Sequence, residues 1–205
     1  MNKNKSIHEY PLMEHYYTIQ GEGYNTGKAA YFLRLGGCDV GCVWCDVKDS
    51  WDASKHPMHS VESFIDLVSN AGAKRLVLTG GEPAMYDLKP FTDAFKTLNT
   101  ELFIETSGAY KITGEWDWIC VSPKKFKAPL KTELLKANEL KIIVFNQSDF
   151  DWALEQSQSV SKDCKLFLQP EYSVQHRVLP GIIDFVKTNP QWQISLQTHK
   201  VMQIP

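Results

Sequence analysis

Short runs rich in β-branched and aromatic residues punctuate this chain at 30–35, 76–78, 102–104, 118–121, 140–145, 166–168 and 193–196. Several are separated by segments with helical spacing. Val61, Phe64, Ile65 and Val68 follow the candidate N-cap Ser60, and Ile182, Ile183, Phe185 and Val186 follow Pro180 and Gly181. Buried strands joined by helical crossovers run in the same direction, so this alternation predicts an α/β fold built on a parallel sheet. Periodicity alone leaves that sheet either open and doubly wound or curled toward a barrel. With 205 residues, 43% of them apolar and 22% charged, the chain suffices for one core and is read as a single domain over residues 1–205. It is too short for a full eightfold barrel, so a curled sheet would be a partial one.

The residues just past each run are as informative as the run itself. Thr79, Gly80, Gly81 and Glu82 come after the second, Glu105, Thr106 and Ser107 after the third, Ser122 and Lys124 after the fourth, Gln169 after the sixth, and Gln197, Thr198 and His199 after the last. In a parallel sheet the carboxyl ends of the strands open on one side, so these polar groups are expected to line a single mouth. No repeat, low-complexity tract or linker interrupts the pattern, and the lysines at 124, 125 and 127 read as a solvated loop.

The chemistry resides in Gly36-Gly37-Cys38-Asp39-Val40-Gly41-Cys42-Val43-Trp44-Cys45-Asp46, a C-x3-C-x2-C spacing. Three thiolates are one short of a closed zinc site, whereas a four-iron cluster held by three leaves an iron open to a further ligand. Gly36, Gly37 and Gly41 favour a loop wrapped around a bulky group over a helix. The C-x2-C pair also suits a zinc knuckle completed by His56 or His59. Cys120 and Cys164 lie in apolar surroundings and read as core residues. A formal charge of −2 gives no basic excess to attract nucleic acid. No apolar run reaches membrane-spanning length, and the first residues lack a signal-peptide core, which predicts a cytoplasmic protein without a membrane partner.

The cysteine spacing, with Trp44 just before the third cysteine, resembles that of radical S-adenosylmethionine (SAM) enzymes. Thr18 to Gly23, Phe32 to Cys38, Thr79 to Pro83, Glu105 to Gly108, Val121 to Lys124, Leu168 to Pro170 and Gln197 to Lys200 occur in the order seen in one family of them, 7-carboxy-7-deazaguanine synthase. The resemblance runs from about Ile19 to Pro205. It implies a partial parallel β/α barrel of the radical SAM type and a lyase that converts 6-carboxy-5,6,7,8-tetrahydropterin to 7-carboxy-7-deazaguanine with loss of ammonia, a step toward queuosine. Cys38, Cys42 and Cys45 would hold a 4Fe–4S cluster whose fourth iron chelates SAM, and an electron would cleave SAM to a 5′-deoxyadenosyl radical, with SAM regenerated after turnover. The family also implies an electron donor such as flavodoxin and a homodimer.

The resemblance assigns residues as well. Gly81 and Glu82 would border the SAM amino end, Ser122, Pro123 and Lys124 its ribose or carboxylate region, Gln169 the adenosine, and Trp44 and Asp46 the cluster and adenine. Substrate contacts fall to Ile19, Gln20, Gly21, Glu22, Arg34, Thr79, His199 and the terminal carboxylate of Pro205, with Arg34 facing the substrate carboxylate. One position departs from the family. Where its members place a threonine that helps to hold Mg2+, this chain has Val47, which offers no side-chain oxygen and implies weaker magnesium dependence. Two rivals carry different consequences: a small activase that forms a glycyl radical on a protein, and a zinc-stabilised binding module.

Overall fold

The computed structural model describes residues 8–205; residues 1–7, most of the stretch read as lacking a signal-peptide core, lie outside the described residues. The first element among the described residues is a long strand, β1 (Glu9–Ile19), antiparallel to β2 (Ala29–Leu35), and β1 also pairs antiparallel with the short β3 (Met58–Ser60). Next come α1 (Val61–Asn70), β4 (Arg75–Gly80), α2 (Lys89–Phe95), β5 (Glu101–Thr106), β6 (Trp118–Val121), α3 (Lys131–Leu134) and β7 (Glu139–Val144). The last part comprises α4 (Ser148–Ser157), β8 (Lys165–Pro170), α5 (Gln175–Thr188), β9 (Trp192–Ile194) and α6 (Thr198–Met202).

The nine strands among the described residues join one sheet in the order β3-β1-β2-β4-β5-β6-β7-β8-β9, parallel at each pairing from β2 to β9. Its edges, β3 and β9, do not pair with each other, so the architecture is a partial β/α barrel. The expected parallel α/β sheet is present, and so is α1, with the Ser60 hydroxyl accepting from the Ser63 N–H as its cap.

Strand alternation divides the molecule. Leu33 and Leu35, Leu76 and Leu78, Ile104, Leu140, Ile142 and Val144 point to the helices and pack with Phe64, Val68, Phe91 and Phe95. The residues between them face the other way. Ala30, Phe32, Val77 and Phe103 form a second, smaller cluster with Tyr16 and Trp118. On the same parity, further along the strands, stand Arg34, Thr79, Glu105, Lys141 and Gln169, all lining the central cavity. The concave side thus has an apolar floor and a polar upper layer.

Three features differ from the sequence expectation. α5 starts at Gln175, five residues ahead of Pro180, because the apolar stripe containing the buried Val178 and Ile182 runs through the proline; Ile183, expected on that stripe, is exposed. The crossover from β5 to β6 is residues 107–117 without a helix, held instead by side chains: Glu133 accepts from the Ile112 N–H at 3.0 Å and Thr92 Oγ1 from the Glu115 N–H at 3.2 Å. β1 had no place among the expected strands. It carries Pro11, Glu14 and His15, and its second half is only partly buried.

Phe64 has no exposed surface and sits against the rings of Tyr10, at 6.4 Å, and Phe91, at 5.8 Å. Phe64→Ala is expected to cost about 3–5 kcal/mol, read as a lower urea midpoint; a loss of a few tenths would place α1 outside the cooperative core.

Candidate active site

The cysteine loop is tied at its base to the sheet and to the short helical turn Lys48–Trp51. The Gly36 N–H donates to the Pro11 carbonyl at 2.9 Å, that of Gly37 to Ser50 at 2.6 Å and that of Cys38 to Trp51 at 3.1 Å. Gly37 (φ +97°) and Gly41 (φ +74°) take left-handed conformations that other residues adopt only under strain. Cys38, Cys42 and Cys45 all line one cavity of about 280 Å³ and form no disulfide. Burial pushes the Cys42 thiol up to about 11 and raises that of Cys38, so both carry protons that metal binding must displace.

Among the described residues no three Cys, His, Asp or Glu side chains close on a single metal ion. Thiols spread along one loop around a shared cavity suit a cluster, in which each thiolate takes its own iron, better than one zinc ion. The two histidines considered for a zinc knuckle are occupied elsewhere. His56 Nε2 donates to the Asp49 carbonyl at 2.9 Å, and the His59 ring stacks on Phe64.

The turn after β4 is knitted to that loop. The Gly81 N–H donates to the Leu35 carbonyl at 3.0 Å and the Glu82 N–H to the Gly37 carbonyl at 2.8 Å. A Cβ on Gly81 would fall 2.3 Å from the Gly37 oxygen and 2.8 Å from Cys38 Cβ, so only glycine fits between the two loops. Glu82, 1% exposed, accepts from the Ala84 N–H at 3.0 Å, the Ser107 N–H at 2.7 Å and the Thr106 and Ser107 hydroxyls. No lysine or arginine lies within salt-bridge distance of it among the described residues. Across the cavity the Lys124 ammonium donates to the Ser122 carbonyl and hydroxyl, both at 2.6 Å, and lies 5.8 Å from the Trp44 ring centre. Burial lowers its pKa. Lys125 and Lys127 lie at the surface as expected of a solvated loop, paired with Asp149 at 2.6 Å and Asp39 at 2.7 Å, and only Lys124 turns into the cavity.

A charged layer crosses the middle of the cavity. Lys141, 4% exposed on β7, donates to Glu22 at 2.5 Å and Glu105 at 3.3 Å. Gln197 holds the other Glu22 oxygen at 2.8 Å, and Gln20 the other Glu105 oxygen at 2.9 Å. Burial alone would raise the Glu22 carboxyl, but Lys141 and hydrogen bonds from Gln197 and Gln169 outweigh it and hold the group down at about 2. Arg34 lies opposite, its Nε on Glu14 at 2.6 Å and Nη1 3.4 Å from the Gly80 carbonyl. Gln169 accepts from the Ser195 hydroxyl at 2.6 Å.

The last residues close one side. The Thr198 N–H and hydroxyl both donate to the Gly21 carbonyl, at 3.0 and 2.9 Å, and a Cβ on Gly21 would lie 2.3 Å from His199 Nδ1. The left-handed Gln203 (φ 56°) ends α6, and Thr18 Oγ1 donates to the Pro205 oxygen at 3.4 Å.

Every residue assigned from sequence lines this cavity except Pro123, which is buried beside Ser122. Glu105 and Gln197 line it as expected of strand-exit residues, whereas sequence reasoning missed Lys141, Trp51 and Tyr172, all on the cavity wall. The legible signal for Lys141 was a charge inside the apolar run 140–145. Cys120 and Cys164 are buried, as their surroundings suggested.

A family profile described as the Radical SAM superfamily matches residues 33–127. A 7-carboxy-7-deazaguanine synthase from Flavobacterium psychrophilum is 52% identical over 95% of this chain and 92% of its own length, and one from Synechocystis is 42% identical over 95% and 93%. This chain belongs to the 7-carboxy-7-deazaguanine synthase family. The crystal structure of QueE from Escherichia coli superposes with a TM-score of 0.82 at 32% identity, covering 92% of this chain and 93% of that one.

The contact between the two loops is where this family member's cluster pocket is most easily tested. Gly81→Ala must push the cysteine loop away, so anaerobically purified protein is expected to lose most of its iron and sulfide while its far-UV circular dichroism is unchanged. Full iron content would show that the loop yields at no cost.

Proposed function

We infer that this chain is a radical SAM lyase that converts 6-carboxy-5,6,7,8-tetrahydropterin to 7-carboxy-7-deazaguanine with loss of ammonia, in deazapurine biosynthesis. The observation that carries the reading is the meeting of the three cysteines, the Gly81–Glu82 turn and the Glu22–Lys141–Glu105 layer on one cavity, in a chain of this family. Bound at Cys38, Cys42 and Cys45, a 4Fe–4S cluster supplies the electron that opens the reaction of SAM.

The protein's own part is to place and to shield. Glu82, held in place by internal donors and without a cation, puts a fixed negative charge beside the cavity that favours a ligand's ammonium nearby, and Gly81 lets the ligand's polar end approach the backbone. Ser122, Pro123 and Lys124, with Trp44, Asp46 and Gln169, complete the proposed SAM contacts. Arg34 is the cation for the pterin carboxylate. Ile19, Gln20, Gly21, Glu22, Thr79, His199 and Pro205 form the rest of the substrate wall. None of these groups need act as a strong base, since holding two ligands within reach of each other and away from water is itself a large contribution to rate. One domain over 1–205, a cytoplasmic location, a flavodoxin-type donor and a homodimer belong to the same reading. No helix among the described residues is long and apolar enough to cross a membrane.

Magnesium fits this chain poorly. Val47 lines the cavity without a side-chain oxygen, and its carbonyl already accepts from the Ser50 hydroxyl at 2.6 Å and the Ser50 N–H at 3.1 Å. No step is assigned to the ion. Val47→Thr is expected to lower the Mg2+ concentration for half-maximal activity; an unchanged titration would remove position 47 from metal binding.

The deciding assay is anaerobic: reconstituted protein, reductant, SAM and the tetrahydropterin, with product followed by mass spectrometry beside Cys42→Ala. Formation of 7-carboxy-7-deazaguanine by the parent alone is the expected result. SAM cleavage without that product would reject the substrate, and no cleavage by cluster-loaded protein would reject the chemistry.

A further inference from the structure

Lys141 is the one buried cation that bridges two carboxylates in the cavity wall among the described residues, and the placing of SAM and the pterin carboxylate leaves it without a task. Lys141 serves one oxygen each of Glu22 and Glu105, Gln197 and Gln20 serve the others, and Gln169 adds a further side-chain donor toward Glu22. An ionised carboxylate accepts about four hydrogen bonds, so each retains acceptor capacity toward the cavity that both line. Paired acceptors of this kind match a donor-rich ligand edge, such as the amino and ring N–H groups of a 2-aminopyrimidinone.

We propose that Lys141 is a positioning residue for the substrate, fixing Glu22 and Glu105 as a rigid pair of carboxylate acceptors that selects an aminopyrimidinone edge. The proposal rests on the pterin being the substrate and deepens that reading. Lys141 comes from β7, Glu105 from β5 and Glu22 from the turn after β1, so the one ammonium joins separate segments of the wall. A shorter or neutral side chain would leave two partly buried carboxylates without their counter-charge.

The consequence is a pH dependence with a definite sign. Without the ammonium, burial dominates and the Glu22 carboxyl rises from its depressed position. On protonation it loses an acceptor and turns an O–H toward the ligand's own donors. Affinity for the pterin therefore falls as pH falls in the variant, while Glu22 of the parent stays ionised. The other groups facing Lys141 are Glu139, Cys120 and Lys124. Glu139 accepts from the Tyr24 N–H and the Trp118 indole at 3.2 and 3.1 Å, and neither it nor Cys120 lines the main cavity.

The experiment compares the cluster-loaded parent with Lys141→Met and Lys141→Gln, measuring pterin and SAM binding by calorimetry, kcat and KM, and melting temperature, from about pH 6 to about pH 8. The glutamine variant keeps one donor toward Glu22 and carries the comparison if the methionine variant does not fold. Expected is a pterin affinity at least about tenfold weaker at the upper pH, a variant-to-parent ratio that grows as pH falls, and SAM affinity unchanged. Unchanged pterin affinity overturns the proposal. So does a loss that is equal at every pH and shared by SAM and melting temperature, because that describes a structural lysine. A parent that cleaves SAM but neither binds nor converts the pterin overturns the substrate assignment itself, and this proposal with it.

Discussion

The alternation of side chains along parallel strands is the constraint on which the rest of the molecule depends. One parity of each strand meets the helices, where Leu33, Leu76, Ile104, Leu140 and Leu168 are fully buried and supply the hydrophobic drive for folding. The other parity faces the concave side and is free to carry chemistry, with Arg34, Thr79, Glu105, Lys141 and Gln169 lining the cavity. A slip of one residue in any strand would exchange the two sets. Folding and site assembly are therefore one event, because the register that satisfies the core also brings the polar layer together.

That layer lies among buried charges, and their balance is local. Three carboxylates, Glu22, Glu105 and Glu139, surround the single ammonium of Lys141, with only the first two in salt-bridge contact. Glu139 is the exception that clarifies the rule: burial raises its pKa, and it is served by the Tyr24 N–H and the Trp118 indole in place of a cation. Glu82 has yet another solution, with hydroxyls and backbone N–H groups taking up its lone pairs. Buried charge in a low-dielectric interior costs several kcal/mol unless hydrogen-bonded or paired, and each of these groups is satisfied in its own way. The cavity's polarity is thus prebuilt and needs little rearrangement when a ligand enters.

The parts legible in sequence were those governed by short-range rules. The strand runs, α1 with its Ser60 cap, the glycines of the cysteine loop and the polar residues at strand exits could all be read from spacing and composition. The rest depends on partners far away in the chain. β1 is stabilised by β2 and β3 and not by its own pattern, so its Pro11, Glu14 and His15 concealed it. α5 continues through Pro180 because packing of Val178, Ile182 and Phe185 offsets one lost hydrogen bond. The β5–β6 crossover has no helix since Glu133, Thr92 and Asp117, on other segments or at its end, satisfy backbone N–H groups of the loop and of β5. Lys141 was hidden in an apolar run, where only the strand's parity reveals that it faces inward.

The loops then convert a rigid sheet into a site that can hold ligands without sealing them in. The cysteine loop owes its shape to the turn after β4, and that turn to the absence of a Cβ at Gly81; the final segment owes its place to the absence of one at Gly21, against which His199 rests. Two glycines thus permit two of the close contacts that shape the cavity wall. Within that wall, the Lys141 bridge links elements from the start, middle and later part of the chain. A reaction that asks its protein chiefly for placement is well served by this arrangement, because the reacting groups' separation is determined by sheet register and close backbone contact, both stiffer than any single side-chain rotamer.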